Sequence, residues 1–366
     1  MRAVVGDILG KTRVIDIWNN ETDYRVGGNQ NGEPDRNAEI GAITIFPNQE
    51  ICCLHNNGTV SFINNENKER TSYIDLNLNF EIPTKAYSLS STPNYHVGLF
   101  ESKCVTFHGT SKIQEFDTVK NSSCGTISGN DIILGRQNDR TIIFDLQTGK
   151  QKWIAADPPL DELKLPLKDD DLCLLSIEES IFIVGQTEGG CLLYDIRSGP
   201  IPIIRSQIFD NRAPMCLELL DTNQFIAGSN IGGLHVSDIR MISEENEVAT
   251  IVGTRGFIGA TAAIIQIVKH PSSPLFAALS MDRVIRLYDF SKELKRPVKM
   301  SFVKTLSNTF QLFDDEMPQE PDPTEELWAS LEETTDNIWE NYTPCPQSKL
   351  SIKKGPIVAK EKKDTE

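Results

Sequence analysis

The sequence predicts an all-β fold, a seven-bladed β-propeller, on three observations. A short apolar strand closing on an aromatic, aliphatic or small residue and then aspartate recurs along the chain. It recurs at a near-regular interval, and residues 1–312 show no helical periodicity. The full copies are Ile15-Asp16, Phe144-Asp145, Tyr194-Asp195, Ser237-Asp238 and Tyr288-Asp289. Each follows a turn bearing Gly or Asp, as in "GKTRVIDIW", "NDRTIIFDL", "GGCLLYDIR", "GGLHVSDIR" and "MDRVIRLYD". Weaker copies end near Ile63 and His108. Taking 16, 63, 108, 145, 195, 238 and 289 as equivalent, the steps are 47, 45, 37, 50, 43 and 51 residues. A period of roughly 40–50 residues built of short strands marks a propeller with one four-stranded blade per repeat.

The elements follow in order. The first repeat, "MRAVVGDILGKTRVIDIW", aligns with "FIVGQTEGGCLLYDIR" and reads as the third and fourth strands of a blade. The spare segments "RPVKMSFVKTL" and "NTFQLF" after the seventh copy are expected to supply the other two, so Met1–Trp18 and Pro297–Leu312 share a sheet. Closure by N- and C-terminal strands leaves no sheet edge open to aggregation. Residues 215–240 show the full plan: strands at Met215–Leu220, Gln224–Gly228 and Leu234–Asp238, with turns at Asp221–Asn223 and Gly232-Gly233. Their unbroken apolar runs fit strands buried on both faces. Residues 262–290 repeat it with Pro-Ser-Ser-Pro as first turn. Segments 20–37 and 156–170 are longer than a connection needs and are candidate binding loops. Strands of this kind closing on Tyr-Asp are of the WD40 type.

The expected domains are the propeller over 1–312, an acidic tail over 313–342 and a lysine-rich tail over 343–366. Of the net charge of −16, half falls in the tail: 313–342 holds 11 acids and no Lys or Arg, while 343–366 holds six lysines against three acids. Such stretches read as disordered. One short amphipathic helix is expected within the acidic part, with Leu327, Trp328 and Leu331 on one face and Trp328 as the anchor for a partner, against the plainer reading that Trp328 packs on the propeller rim. Lys349, Lys353, Lys354, Lys360, Lys362 and Lys363 read as a nuclear or nucleolar address. No apolar run approaches the roughly 18 residues of a membrane span, and "MRAVVGDILGKTR" reads as a strand, not a signal peptide. The eight cysteines form no CxxC pair and sit mostly in strands, as small core residues of a reducing compartment.

Catalytic signatures are not legible. His55, His96, His108, His235 and His270 fall at scattered phases of the repeat, outside any HExxH or nucleophile-elbow context. "GSNIGG" (228–233) matches turn glycines elsewhere and opens no helix. Asp139 and Asp282 occupy equivalent turns and read as turn caps. No cofactor or metal is expected, and ligand spacing supports none. The dense basic run of the folded part is Lys292, Lys295, Arg296, Lys299 and Lys304, preceded by Arg283 and Arg286. It is the candidate surface for RNA phosphate or a ribosomal protein, against the plainer reading of a lysine-rich edge that discourages sheet pairing.

Longer segments carry a family resemblance. "EELWASLEE" (325–333), between an acidic-proline stretch and a lysine tail, resembles the C-terminal signature of one ribosome-assembly family. That is the WD repeat-containing protein 74 family, with the Nop-seven-associated protein as its fungal branch. "RGFIGATAAIIQIVKHPSSPLFAALSMDRVIRLYDF" is similar to its seventh repeat, and 138–172 to its mid-chain strand and insertion, with Lys168 where the family has tryptophan. "GNDIILGRQNDRTIIFD" and "GSNIGGLHVSDIR" fit the same pattern, and repeats two and three depart from it. The resemblance implies a non-catalytic scaffold that joins nucleolar precursors of the 60S subunit. Its implied partners are pre-ribosomal RNA, ribosomal proteins, neighbouring assembly factors and a nucleolar AAA-type ATPase that releases it. It implies a monomer within a complex, off any membrane. The repeats alone fit equally an adaptor of a ubiquitin ligase or trafficking complex, and a propeller enzyme would need convergent acid and base groups at its channel.

Overall fold

Seven four-stranded antiparallel sheets account for the seven repeats. The computed structural model describes residues 1–315, apart from 30, 79, 81–83, 93–94, 110, 158–168, 210–211, 246–247 and 293–294; for 241–254 it describes the backbone alone. The innermost strands are Ile40–Ile45, Ala86–Ser91, Ser122–Ser128, Asp171–Glu178, Pro214–Asp221, Ile264–Lys269 and Ser307–Leu312. In blades two to seven the chain runs outward from each of these through a second, third and outer strand.

Blade one is assembled from both ends of the described chain, as expected, but with a different division of labour. Arg2–Asp7 and Lys11–Asp16 are its second and third strands, and Ser307–Leu312 pairs with Arg2–Asp7 as the innermost. The outer strand is Glu21–Gly27, inside the segment read as a loop. Its pattern was present in the sequence: Thr22, Tyr24 and Val26 alternate with Asp23 and Arg25, and every second residue is shielded. Lys299–Phe302 therefore does not join blade one; it is the outer strand of blade seven, paired with Val284–Asp289. The packed chain also extends past the expected boundary at 312. Phe313 is buried between blades one and two, and Asp315 pairs with Arg2 at 2.9 Å.

The recurring aspartate has one local job. Asp16, Asp145, Asp195 and Asp289 each accept a backbone N–H two or three residues on, closing the turn into the outer strand. Asp238 accepts the Arg240 N–H in the same way within the longer third strand of blade six. In blade two the equivalent is Asn64, which caps Glu66 at 2.8 Å, one residue beyond the expected Ile63. Blade three has His108 there, and Gly109 at φ +53 makes the turn instead. The aromatic before aspartate stacks across the sheet. Tyr288 lies 4.9 Å from Phe276 and Tyr194 lies 5.1 Å from Phe182, and the members of each pair stand opposite on neighbouring strands.

Among the described residues there are seven clusters of buried side chains, one at each junction of neighbouring blades. This is why strands such as Leu275–Ser280 are buried at every residue: both faces of each sheet meet another blade. The third strand of blade six continues beyond Asp238 to Glu245 and pairs back through Val248 onward, so a two-stranded ribbon extends from this blade.

Candidate functional site at the crossover face and the basic connection

The ring has two faces. One, the crossover face, carries the links from each outer strand to the next innermost strand and the turns between second and third strands. On this face the seven innermost strands share a defect. Pairing with the second strand skips Gly41, Tyr87, Ser123, Leu172, Met215, Ile265 and Asn308, one in each blade. Bulges of this kind re-aim a side chain out of the ladder. All seven bulged residues line the central cavity of about 300 Å³, so the bulges form a ring within it. The bulges have no constant residue type, which is why the repeat pattern did not reveal them.

The ring is uneven. Leu172, Met215 and Ile265 form an apolar arc over blades five to seven, whereas Asn308 and Gly41 leave the blade one and two side polar and open. There a larger cavity of about 760 Å³ is lined by Arg36, Glu39, Asn56, Asn57, Phe80 and Lys85 among others. The Glu39 carboxylate is fixed, accepting from the Asn56 amide at 3.0 Å and from the Asn308 amide.

The buried carboxyls of perturbed acidity are spent on joining blades. Asp171 accepts from Thr141 Oγ1 at 2.8 Å and from the Arg136 N–H at 3.3 Å, tying blade five to blade four, and burial pushes its carboxyl up to about 6. Glu218 accepts from the Lys269 N–H at 3.2 Å, tying blade six to blade seven, and burial pushes it up to about 7. Fully buried His55 has Nδ1 2.6 Å from Ala38 O and Nε2 2.9 Å from Ser61 Oγ, and burial drives it down to about 4. Asp171 and Glu218 sit at two different blade junctions and His55 within blade two, so they are not gathered as an acid–base pair would be. His270 caps the turn after its strand, accepting the Ser272 and Ser273 N–H groups at Nδ1. His235 Nδ1 is buried without a hydrogen bond, and its ring meets Phe209 edge-on. Asp282 caps Val284 N–H as expected. Among the described residues no group of three or more His, Cys, Asp or Glu side chains is placed to hold a metal.

The basic run is divided by the fold. Lys292 lies 3.3 Å from Asp289, and Arg286 is held by Asp282 at 2.6 Å. Lys299 opens the outer strand of blade seven, its ammonium 5.6 Å from the Trp18 ring centre. Lys295, Arg296 and Lys304 are exposed. The connection is not loose at this point: Lys295 O accepts from Ile258 N–H at 2.8 Å, and the Arg255 guanidinium donates to the carbonyls of Phe290 and Lys292. Leu327, Trp328 and Leu331, the six tail lysines and Lys168 lie outside the described residues.

No protein-family model matches the chain, and no curated protein sequence does. Solved structures match its shape. The Raptor of Chaetomium thermophilum aligns over 74% of this chain at 11% identity and a TM-score of 0.59. This chain spans 25% of that one. The computationally designed Ika8 protein aligns over 86% of this chain and 88% of its own, at 13% identity and a TM-score of 0.59. The β-propeller domain of Cps50 (Swd1) from Myceliophteria thermophila aligns over 72% and 86%, at 10% identity and a TM-score of 0.59. Identities this low speak to fold alone. With the seven sheets and their closure, they make the chain a seven-bladed, WD40-like β-propeller.

Proposed function

We propose that this propeller is a non-catalytic docking platform in assembly of the large ribosomal subunit, bound to nucleolar pre-60S particles and released from them by an AAA-type ATPase. The observation that carries the scaffold reading is the use made of its chemistry: the buried carboxyls of raised pKa, Asp171 and Glu218, tie neighbouring blades and His55 is spent inside blade two, whereas exposed loops offer cations. The particle is assigned by the sequence resemblance of the seventh repeat, the 138–172 segment and the Trp328 signature. Lys295, Arg296 and Lys304 are the side chains of the basic run best placed to reach phosphate, since they are exposed on a connection anchored to blade six and on the link into blade one. Lys292 and Lys299 contribute less, being engaged by Asp289 and Trp18. In this reading the acidic tail presents Trp328 to a protein partner and the tail lysines direct the chain to the nucleolus.

The test is sedimentation of the tagged full-length chain through a gradient, with RNA sequencing of the fractions. Migration with large-subunit precursors, reduced by Lys295→Glu with Arg296→Glu and Lys304→Glu while the melting temperature holds, supports the proposal. Migration as free protein, or with a ubiquitin-ligase or trafficking complex, overturns it.

A further inference from the structure

We propose that the crossover face of blades six and seven is a protein-recognition surface that takes an aliphatic segment of a partner flanked by carboxylates. The turns between second and third strands are where soluble proteins place small polar residues. Blades two, four and five do so with Asn56-Asn57, Asn138-Asp139 and Thr187-Glu188. Blades six and seven instead present Ile231, 50% exposed, and Met281, 56% exposed. Two neighbouring crossover links add Ile258 and Leu306, and the bulge of blade six adds Met215. Scattered exposed aliphatics need no explanation, but a continuous patch of them does.

Backbone hydrogen bonds join the turns and links that carry these side chains. Asn230 N–H donates to Ala213 O, linking the Ile231 turn to the strand that carries Met215. Ala260 N–H donates to Gly232 O, Met281 N–H to Ala263 O and Val303 N–H to Arg283 O, so turn and link alternate without a break across both blades. The seam is tight as well as continuous. A side-chain carbon at Gly259 would stand 1.6 Å from Gly232 O, and Gly232 itself takes φ +91. The platform is therefore held in place before anything binds, which lowers the ordering cost of association.

Charge selects the partner. In a chain of net −16, the edge of this patch carries cations. Arg283 stands where four other blades have glycine, at φ +65, and its guanidinium lies 5.3 Å from the Phe302 ring centre. Exposed Lys304 follows the residue bonded to Arg283. The nearest carboxylate on the turn, Asp282, is already held by Arg286 at 2.6 Å. Apolar centre and cationic edge match an apolar segment with acidic flanks. Single-stranded RNA fits less well: bases are bound by stacking on aromatic faces, and here the centre is Met and Ile while the aromatic at its edge, Phe302, has Arg283 over one face. This inference stands whether or not the particle proposed above is the right one.

Selection of random 16-residue peptides displayed on phage against the purified full-length chain provides the test. We expect recovered sequences to join aliphatic residues to Asp or Glu. One such peptide, synthesised with a fluorophore, should lose about tenfold or more in affinity to the variant Ile231→Asp with Met281→Asp. Arg283→Gly is the second variant: it restores the residue suited to a positive φ, so it should melt no lower than the parent while binding the peptide several-fold more weakly. A labelled 20-nucleotide oligo-uridine runs beside the peptide. Peptides without acidic flanks, or peptide binding untouched by both variants, would overturn the proposal. So would variants that lose the oligonucleotide and keep the peptide.

Discussion

Blades seven and one are neighbours built to one plan, and each sets an arginine at the same station. The aspartate it meets comes from the end of the second strand in blade one and from the following turn in blade seven, where Ser280 holds the place of Asp7. In blade seven Arg286 stands opposite Ala278 and reaches Asp282 at 2.6 Å and Ser280 Oγ at 2.6 Å, with 12% of Arg286 and 21% of Asp282 exposed. In blade one Arg13 stands opposite Val5 and reaches Asp7 at only 3.6 Å, with 6% and 1% exposed. Arg13 Nε and Asp7 Oδ2 make no hydrogen bond, and burial, with Arg25 across the sheet, lowers the guanidinium's affinity for its proton. The residue types repeat, but their energetic roles do not. A half-wet, well-made pair adds a little stability, whereas a dry and stretched one mainly makes each partner depend on the other.

Closure sets the largest expected difference between these blades. Blade seven is one continuous stretch, while blade one needs Ser307–Leu312 beside Arg2–Asp7. Phe310 and Leu312 are buried with Val5, Leu279 and Leu287 in the cluster between the two blades. Deleting Ser307–Leu312, or Met1–Trp18, should abolish cooperative unfolding in urea. A single sharp transition near the parent midpoint in either deletion would show that the ring does not depend on its closing sheet.

The ion pairs come next. Both aspartates keep backbone N–H donors at Oδ1, so exposure decides. Arg13→Met should cost about 3 kcal/mol because Asp7 Oδ2 is left buried without a partner, whereas Arg286→Met should cost about 1 kcal/mol because Asp282 can turn to water. Urea midpoints measure both. Equal costs, or the reverse order, would refute the claim that burial separates the two blades.

This contrast also marks what could be read from the sequence. The aspartate at the third-strand end was legible because it answers a rule two or three residues long, the same in blade after blade. Seven blades followed from it, and so did closure in outline. The outer strand Glu21–Gly27 was missed because long polar flanks made it look like a loop, although Thr22, Tyr24 and Val26 carry the alternation. The bulge ring, the fixed Glu39 and the apolar face of blades six and seven were not legible. Each joins residues of different blades, and no local spacing encodes it. The basic run shows the same limit: its density is a property of the chain, but Asp289 and Trp18, which engage Lys292 and Lys299, are a property of the fold.

A third form of that station sharpens the comparison by pH. In blade two it is filled by neutral groups, His55 and Ser61, at the positions of Asp7 and Arg13. With Nδ1 against Ala38 O, the ring must donate there, so Nε2 accepts from Ser61 Oγ; only the uncharged tautomer does both. Burial lowers the folded value to about 4, below the ordinary 6.5. The sign follows: above 6.5 the ring is neutral folded or unfolded and its contribution is complete, and as pH falls toward 4 the unfolded chain takes the proton and the fold loses stability. Between pH 7.5 and 5 the loss should be about 2 kcal/mol. Glu218 works in the opposite sense, because its raised value near 7 makes the fold gain stability as pH falls toward the ordinary carboxylate range. The slope of the whole protein therefore mixes signs, and the measurement is a difference. Urea midpoints of the parent and His55→Asn across this range should converge as pH falls, the variant being weaker at pH 7.5 and nearly level at pH 5. Parallel curves would mean that His55 is protonated in the fold or open to water, and that blade two holds its station by something other than a buried neutral pair.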